Sequence, residues 1–301
     1  MAAPLVSVVV RAFKPNEWIF EAVDSVIRQT YRGPVEVIVC YDKASNTPRI
    51  LDKLRELASQ TPANRAVRVV EHEPMGPAHA FFECGLRQSR GDYVMFLDYD
   101  NVMPSDYVER VLSHAEGDKC LCTNPMKMDK EGRLLNTRVM RVPKKISVEE
   151  LAWGNFCDTN GIVLPRKAVD TILKMYDDKL KRLRLLNYLL VDDYLCALIC
   201  AKLFGIKYIE DAYVYYRVHE EQLGHVMRPD DVVKANQIRL RDIVTLYELL
   251  VMLGDKFTSA EKANISASII GRVINLISKT IGVKYIIMGI ALVLYRYIKS
   301  I

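Results

Sequence analysis

Glycine is scarce in this chain, with 14 residues in 301. None of them falls in the turn after the first apolar run, which excludes both the dinucleotide fingerprint and a phosphate-cradling loop at that place. No uncharged stretch reaches the roughly 20 residues that a spanning helix needs. The longest late one, Tyr285 to Tyr295, is 11 residues between Lys284 and Arg296. The seven cysteines are odd in number and thinly spread. Cys120/Cys122 and Cys196/Cys200 are close pairs, but no histidine or second pair completes a zinc spacing. All seven read as reduced, buried thiols of a cytoplasmic protein. No basic segment precedes the strand-like Leu5–Val10, so no signal peptide is expected. With 50% hydrophobic and 26% charged residues, the composition excludes disorder, collagen and a disulfide scaffold.

What is present is an alternation of strand and helix signals. Val6–Val10 is a continuous apolar run, as in a strand buried on both faces. Asn16–Thr30 carries Trp18, Ile19, Ala22, Val23, Val26 and Ile27 on one helical face. Gly33-Pro34 turns the chain into a second strand, Val35–Cys40. Thr47-Pro48 supplies an N-cap and a first-turn proline for a helix that ends before Pro62. Val67–Val70 predicts a third strand, Pro77–Ser89 a helix, Tyr93–Leu97 a fourth strand and Pro104–Glu116 another helix. Beyond these lie a hairpin turn at Asp129–Gly132, helices over Val169–Leu190 and from Asp192 to Leu203, and a strand-like Lys207–Val218. Such spacing means a parallel sheet with crossover helices. Ligands then bind off the carboxyl ends of the strands.

After the first strand come Arg11, Phe13 and Lys14. Phe13 can stack on a base and either cation can face phosphate; a solvated loop with one anchoring aromatic reads equally well. Asp42, after the second strand, suits a base N–H or serves as a turn residue. Asp98-Tyr99-Asp100 follows the fourth strand, where two acids can converge on a hard cation that also ligates a diphosphate. Asp192-Asp193 opens an apolar helix, as helix-capping acids or as a positioned general base. Arg217 suits a phosphate, and His219 a metal or a diphosphate.

The net charge of +5 resides in the tail. Residues 255–301 hold seven Lys/Arg against Asp255 and Glu261, and the remainder is balanced. A neutral body with a basic, Ile/Val/Leu-rich tail points to a membrane surface and away from nucleic acid. Ile265, Ile269, Ile270, Val273, Ile274, Ile277 and Ile281 fall on one helical face, with Asn264, Ser268, Arg272, Asn275 and Lys279 on the other. That is the pattern of an interfacial anchor. The alternative is packing on the catalytic body or on the partner subunit of a homo-oligomer.

Together these segments resemble family 2 glycosyltransferases of the GT-A fold. Val6–Val10 with Glu21–Tyr31 is similar to the family's opening strand and helix. Gly85-Leu86, Gly91-Asp92-Tyr93 and Phe96–Asp100 are similar to the stretch that leads into its D-x-D. The resemblance covers residues 5–223. It implies an α/β, Rossmann-like GT-A domain over 1–228, a mostly parallel sheet flanked by helices. A helical, membrane-associating extension would follow over 229–301.

By that resemblance Phe13 and Asp42 hold the nucleoside base, Asp98 sits near the ribose, and Asp100 ligates Mn2+ or Mg2+ on the diphosphate. Asp193 is the inverting general base, and Arg217 and His219 lie on a loop over the donor. Arg11-Ala12-Phe13-Lys14 departs from the family's usual Pro-Thr-Tyr-Asn. Phe82-Glu83 stand in place of Arg-Asn, so Lys14 or Arg217 would supply the missing phosphate charge. The expected activity is transfer from a nucleoside-diphosphate sugar, UDP-sugar favoured, to a lipid-linked saccharide or polyprenyl phosphate on the cytoplasmic membrane face. Acceptor contacts are expected around Trp153 and Asn155. A sugar-nucleotide pyrophosphorylase or a non-catalytic binding protein of the same fold are the alternatives. The first would want a glycine-rich turn after strand one, and the second would tolerate loss of acids that are all present.

Overall fold

In a computed structural model, described over residues 2–76, 80–180, 192–220 and 232–281, the central element is β1 (Val6–Ala12). Its valines are fully buried because the sheet is covered on both faces. The strand pairs in parallel with β2 (Val35–Asp42) and β4 (Tyr93–Asp98), and β2 pairs in parallel with β3 (Val67–His72). Helix α1 (Trp18–Ile27) crosses from β1 to β2, and α2 (Pro48–Gln60) from β2 to β3. Beyond β4 the sheet continues through β8 (Ile162–Pro165), β5 (Cys120–Thr123) and β9 (Ile206–Ile209). Of these added strands only β8 runs antiparallel to its neighbours. A second sheet joins β10 (Tyr215–Arg217) to the hairpin of β6 (Met126–Met128) and β7 (Leu134–Arg138).

The helices at Trp18–Ile27 and Tyr107–Ser113 are shorter than the apolar periodicity predicts, whereas the one at Asp192–Leu203 has the expected span. Residues 80–86 form a π-helical turn, α3 spans only Tyr107–Ser113, and α5 (Arg166–Met175) passes into a π-helical turn at Tyr176–Leu180. Residues 77–79 and 181–191 lie outside the described residues. Thr47 occupies the N-cap of α2 with Pro48 in the first turn, as expected, but its hydroxyl bonds the Tyr41 hydroxyl at 2.9 Å and not the helix backbone. Lys207–Val218 is not one strand but β9 and β10, which belong to different sheets.

The cysteine expectation needs one correction. Cys40, near the end of β2, and Cys84, in the π-helical turn, form a disulfide with Cα atoms 5.8 Å apart. They are 44 residues apart in sequence, and only packing of the turn on the sheet brings them together. Cys120, Cys122, Cys157, Cys196 and Cys200 are free and buried.

Helices α4 (Val148–Trp153), α6 (Asp192–Leu203), α7 (Val232–Leu253) and α8 (Ser259–Ile281) cover one face of the main sheet. Leu246, Leu249, Met252, Leu253, Phe257 and Ile265 enter the same core cluster as Phe96 and Leu198. The polar positions of α8 also face the body. Asn264 accepts from Trp153 Nε1 at 2.9 Å, Ser268 donates to the Ala152 carbonyl, and Arg272 pairs with Asp242 of α7 at 2.6 Å. Through residue 275, then, the helix packs on the body of the fold through these contacts. Among the described residues no helix is long and apolar enough to cross a membrane. The apolar run Tyr285–Tyr295 lies outside the described residues.

Candidate active site

The strand order β3-β2-β1-β4 reverses direction at β1. The carboxyl ends of β1 and β4 therefore border a crevice, the usual ligand position in such sheets. Arg11 and Asp98 are register partners there. Arg11 Nε donates to Asp98 Oδ1 at 2.7 Å, and its NH1 lies 3.0 Å from Asp192 Oδ2 at the start of α6. Burial opposes the Arg11 charge, but Asp98, Asp192 and Asp193 outweigh it and hold the guanidinium firmly protonated. Asp98 is further held by Asn160, whose Nδ2 donates to Asp98 Oδ2 at 2.9 Å and whose Oδ1 accepts from the Asp98 N–H at 2.7 Å. Asn160 can sit there because Gly161 presses against the end of β5. A Cβ at Gly161 would fall 2.1 Å from the Thr123 carbonyl oxygen.

Asp100 is buried, with Oδ2 in a 2.9 Å hydrogen bond to His219 Nε2. Burial raises its carboxyl above the ordinary range, Asp98 adds to this, and His219 opposes it. The His219 ring rests on Trp18 of α1, centroids 4.8 Å apart. Arg217 is 2% exposed. Its Nε donates to the Asp100 carbonyl, its NH1 to the Lys130 carbonyl, and its NH2 pairs with Glu21 at 2.5 Å. Arg217 thus reaches the D-x-D segment through the Asp100 backbone.

Asp193, in the first turn of α6, accepts from Asn155 Nδ2 at 3.2 Å and from the Thr159 hydroxyl at 3.1 Å. Its carboxyl is pushed up to about 8 by burial and by the charges of Asp192 and Asp158, with Arg11 and Thr159 pulling the other way. Asp158 is itself raised by burial and by Asp98. Burial and then the charges of Asp158, Asp98 and Asp100 raise the Tyr216 phenol well above its usual range.

The remaining expected residues stand around this centre. Phe13 is 46% exposed, with Lys14 Nζ 5.4 Å from its ring centroid. Lys14 takes a left-handed φ of 48°, and its backbone N–H bonds the Ser45 hydroxyl. Asp42 is buried at the end of β2, and one of its oxygens accepts from the Ala44 N–H at 2.8 Å. Trp153 does not join the acid cluster; it is exposed and bonded to Asn264 of α8. Sequence reasoning missed Trp18, Glu21, Asp158, Thr159, Asn160 and Tyr216 as members of the site. Asp158 and Asn160, two apart in an Asx turn, were the legible signal. A cavity of about 580 Å³ lies away from these acids, at the amino end of β4 beside Asp92, Arg166 and Lys167.

Among the described residues no three His, Cys, Asp or Glu side chains converge as a ready metal site. Asp100 and His219 nonetheless fit a divalent cation as a two-ligand set. A carboxylate oxygen and an imidazole nitrogen stand side by side, and burial disfavours the carboxylate charge until a cation compensates it. Donor phosphates and water would complete the shell.

The family model for glycosyl transferase family 2 matches residues 7–173. The chain belongs to that family. The Escherichia coli UDP-Glc:alpha-D-GlcNAc-diphosphoundecaprenol beta-1,3-glucosyltransferase WfaP is 26% identical over 247 residues, 78% of this chain and 88% of WfaP. Among solved structures, Staphylococcus aureus TarS 1–349 superimposes with a TM-score of 0.61 at 16% identity, covering 93% of this chain and 74% of that one. Pyrobaculum calidifontis mannosyltransferase PcManGT, in complex with GDP-Man and Mn2+, gives 0.56 at 16% identity, covering 100% and 83%. This family 2 glycosyltransferase accordingly has the GT-A fold expected from its sequence.

Proposed function

We propose that this glycosyltransferase is inverting and metal-dependent, moving a sugar from a UDP-sugar to a lipid-linked saccharide or polyprenyl phosphate. The observation that carries this reading is the link through Arg11 from Asp98 to Asp192 at the start of α6, beside Asp193, a buried carboxyl aimed by Asn155 and Thr159. In its deprotonated form Asp193 takes the acceptor hydroxyl proton. The acceptor oxygen attacks the anomeric carbon from the side opposite the diphosphate, whose bond to the sugar breaks, so the centre inverts. Phe13, Lys14, Asp42 and Asp98 hold the nucleotide, and Arg217 keeps the Asp100 backbone in place. A divalent cation on Asp100 and His219 would neutralise charge on the leaving diphosphate.

The UDP preference is supported by a TarS structure in complex with UDP-GlcNAc (TM-score 0.54), and the lipid-linked acceptor by the likeness to WfaP. We take residues 1–228 as the catalytic domain and 229–301 as a helical extension that brings the enzyme to the cytoplasmic face of the membrane. The basic charge of residues 255–301 supports this.

The test is calorimetric binding of UDP with and without Mn2+, followed by transfer from UDP-glucose to a GlcNAc-diphosphate-lipid with NMR of the product anomer. Metal-dependent binding and an inverted product are expected. A retained configuration would overturn the mechanism, and lack of UDP binding would overturn the donor assignment.

A further inference from the structure

Arg11 is where this chain departs from its family's usual residue after the first strand, and the structure gives that departure a use. Its guanidinium bridges the end of β4, through Asp98, and the start of α6, through Asp192, which lies 181 residues from Arg11 in the chain. Asp98 and Asp192 thereby engage Nε, NH1 and NH2. Two carboxylates thus already offset the guanidinium charge on which a donor phosphate would draw.

We propose that Arg11 is a positioning residue for the general base and not a ligand of the donor diphosphate. From the carboxyl end of β1 it draws Asp98 and Asp192 onto one cation, which fixes the first turn of α6 against the sheet and favours the charged form of Asp193. This rests on the reading of Asp193 as the base.

The groups facing the Asp193 carboxyl make Arg11 the counterweight. On its own helix are Asp192 and the Cys196 thiol, and from the segment before β8 come Asp158, Thr159, Asn155 and the Cys157 thiol. From β1 comes Arg11, the cation acting on Asp193 in this set. Two neighbouring acids disfavour the charged base, and one opposite charge within a few ångströms lowers a carboxyl by about a factor of ten or more in proton affinity.

The test is a carboxyl 13C NMR titration of the metal-free protein, with the Asp193 signal assigned by its loss in Asp193→Asn. Arg11→Met is expected to raise the proton affinity of Asp193 by about tenfold, while Arg11→Lys keeps it close to the wild-type value. The UDP dissociation constant measured with Mn2+ should change by less than about threefold in Arg11→Met. An unmoved Asp193 titration overturns the proposal. So does a loss of UDP affinity of tenfold or more, which would make Arg11 a phosphate ligand. Should Arg11→Met fail to fold, Arg11→Gln removes the charge while keeping hydrogen-bond donors, and carries the same two measurements. Full transfer activity in Asp193→Asn would instead remove the base assignment and leave the Arg11 titration result standing.

Discussion

The Arg217 guanidinium, almost wholly buried, donates to the backbone carbonyl of Asp100 at 2.9 Å. That bond ties β10 to the D-x-D segment, 117 residues earlier. The same guanidinium reaches Glu21 of α1 and the Lys130 carbonyl of the β6–β7 hairpin, so one cation joins β10, α1, the hairpin and the D-x-D backbone. Arg217→Met should destabilise the fold by about 3 kcal/mol, because it leaves buried acceptors without a donor. Urea unfolding monitored by circular dichroism measures this, and a loss under about 1 kcal/mol would contradict the structural role.

Asp193→Asn preserves shape and hydrogen-bonding capacity but removes the proton acceptor. Transfer should fall by about two to four orders of magnitude, with the KM for the donor nearly unchanged. Initial rates of UDP release at saturating donor test this. A tenfold rise in KM with kcat intact would make Asp193 a binding residue.

The pH dependence follows from the same carboxyl. Asp193 is raised to about 8, and a base works only when deprotonated. The kcat/KM for donor should therefore climb through neutral pH, about tenfold per unit on the acid limb, and level off above that value. A profile flat from pH 6 to 9 would rule out a raised base.

Stability should run the opposite way. A carboxyl raised in the folded state contributes stability while protonated and loses it as pH rises from the unfolded value, near 4, through the folded one. Asp193→Asn should then raise the Tm of the metal-free protein at pH 8, by roughly 2–4 °C for each kcal/mol relieved, and have little effect near pH 4. Scanning calorimetry at the two pH values separates these outcomes.

Asp100→Ala and His219→Ala should each abolish the dependence of UDP binding on Mn2+ while leaving weak, metal-independent binding. Calorimetry with and without the ion checks it. Equal metal dependence in wild type and both variants would exclude the pair as the cation site.

The apolar runs Val6–Val10 and Tyr93–Leu97 were decisive in the sequence because a strand covered on both faces has no polar option along its length. The acids that follow such a run must lie at its carboxyl end, so the place of Asp98 and Asp100 in the sheet was legible in the sequence. Asp193 was legible as an acid opening a helix, but whether it caps or catalyses depends on what faces it. Asn155, Thr159 and Asp158 come from a segment with no periodic pattern, and their approach to α6 is set by packing of β8 and by the closeness that Gly161 permits. Arg11 reads as a phosphate-facing cation in a sequence, which shows a charge without its partners. Only folding brings Asp98 and Asp192 to the same guanidinium. The α8 helix teaches the same point. Periodicity separated isoleucines from polar residues, but Asn264, Ser268 and Arg272 found hydrogen-bond partners on α4 and α7, so the helix buries part of its polar face as well. A sequence shows which groups need water or a partner, and the tertiary structure decides which of the two they receive.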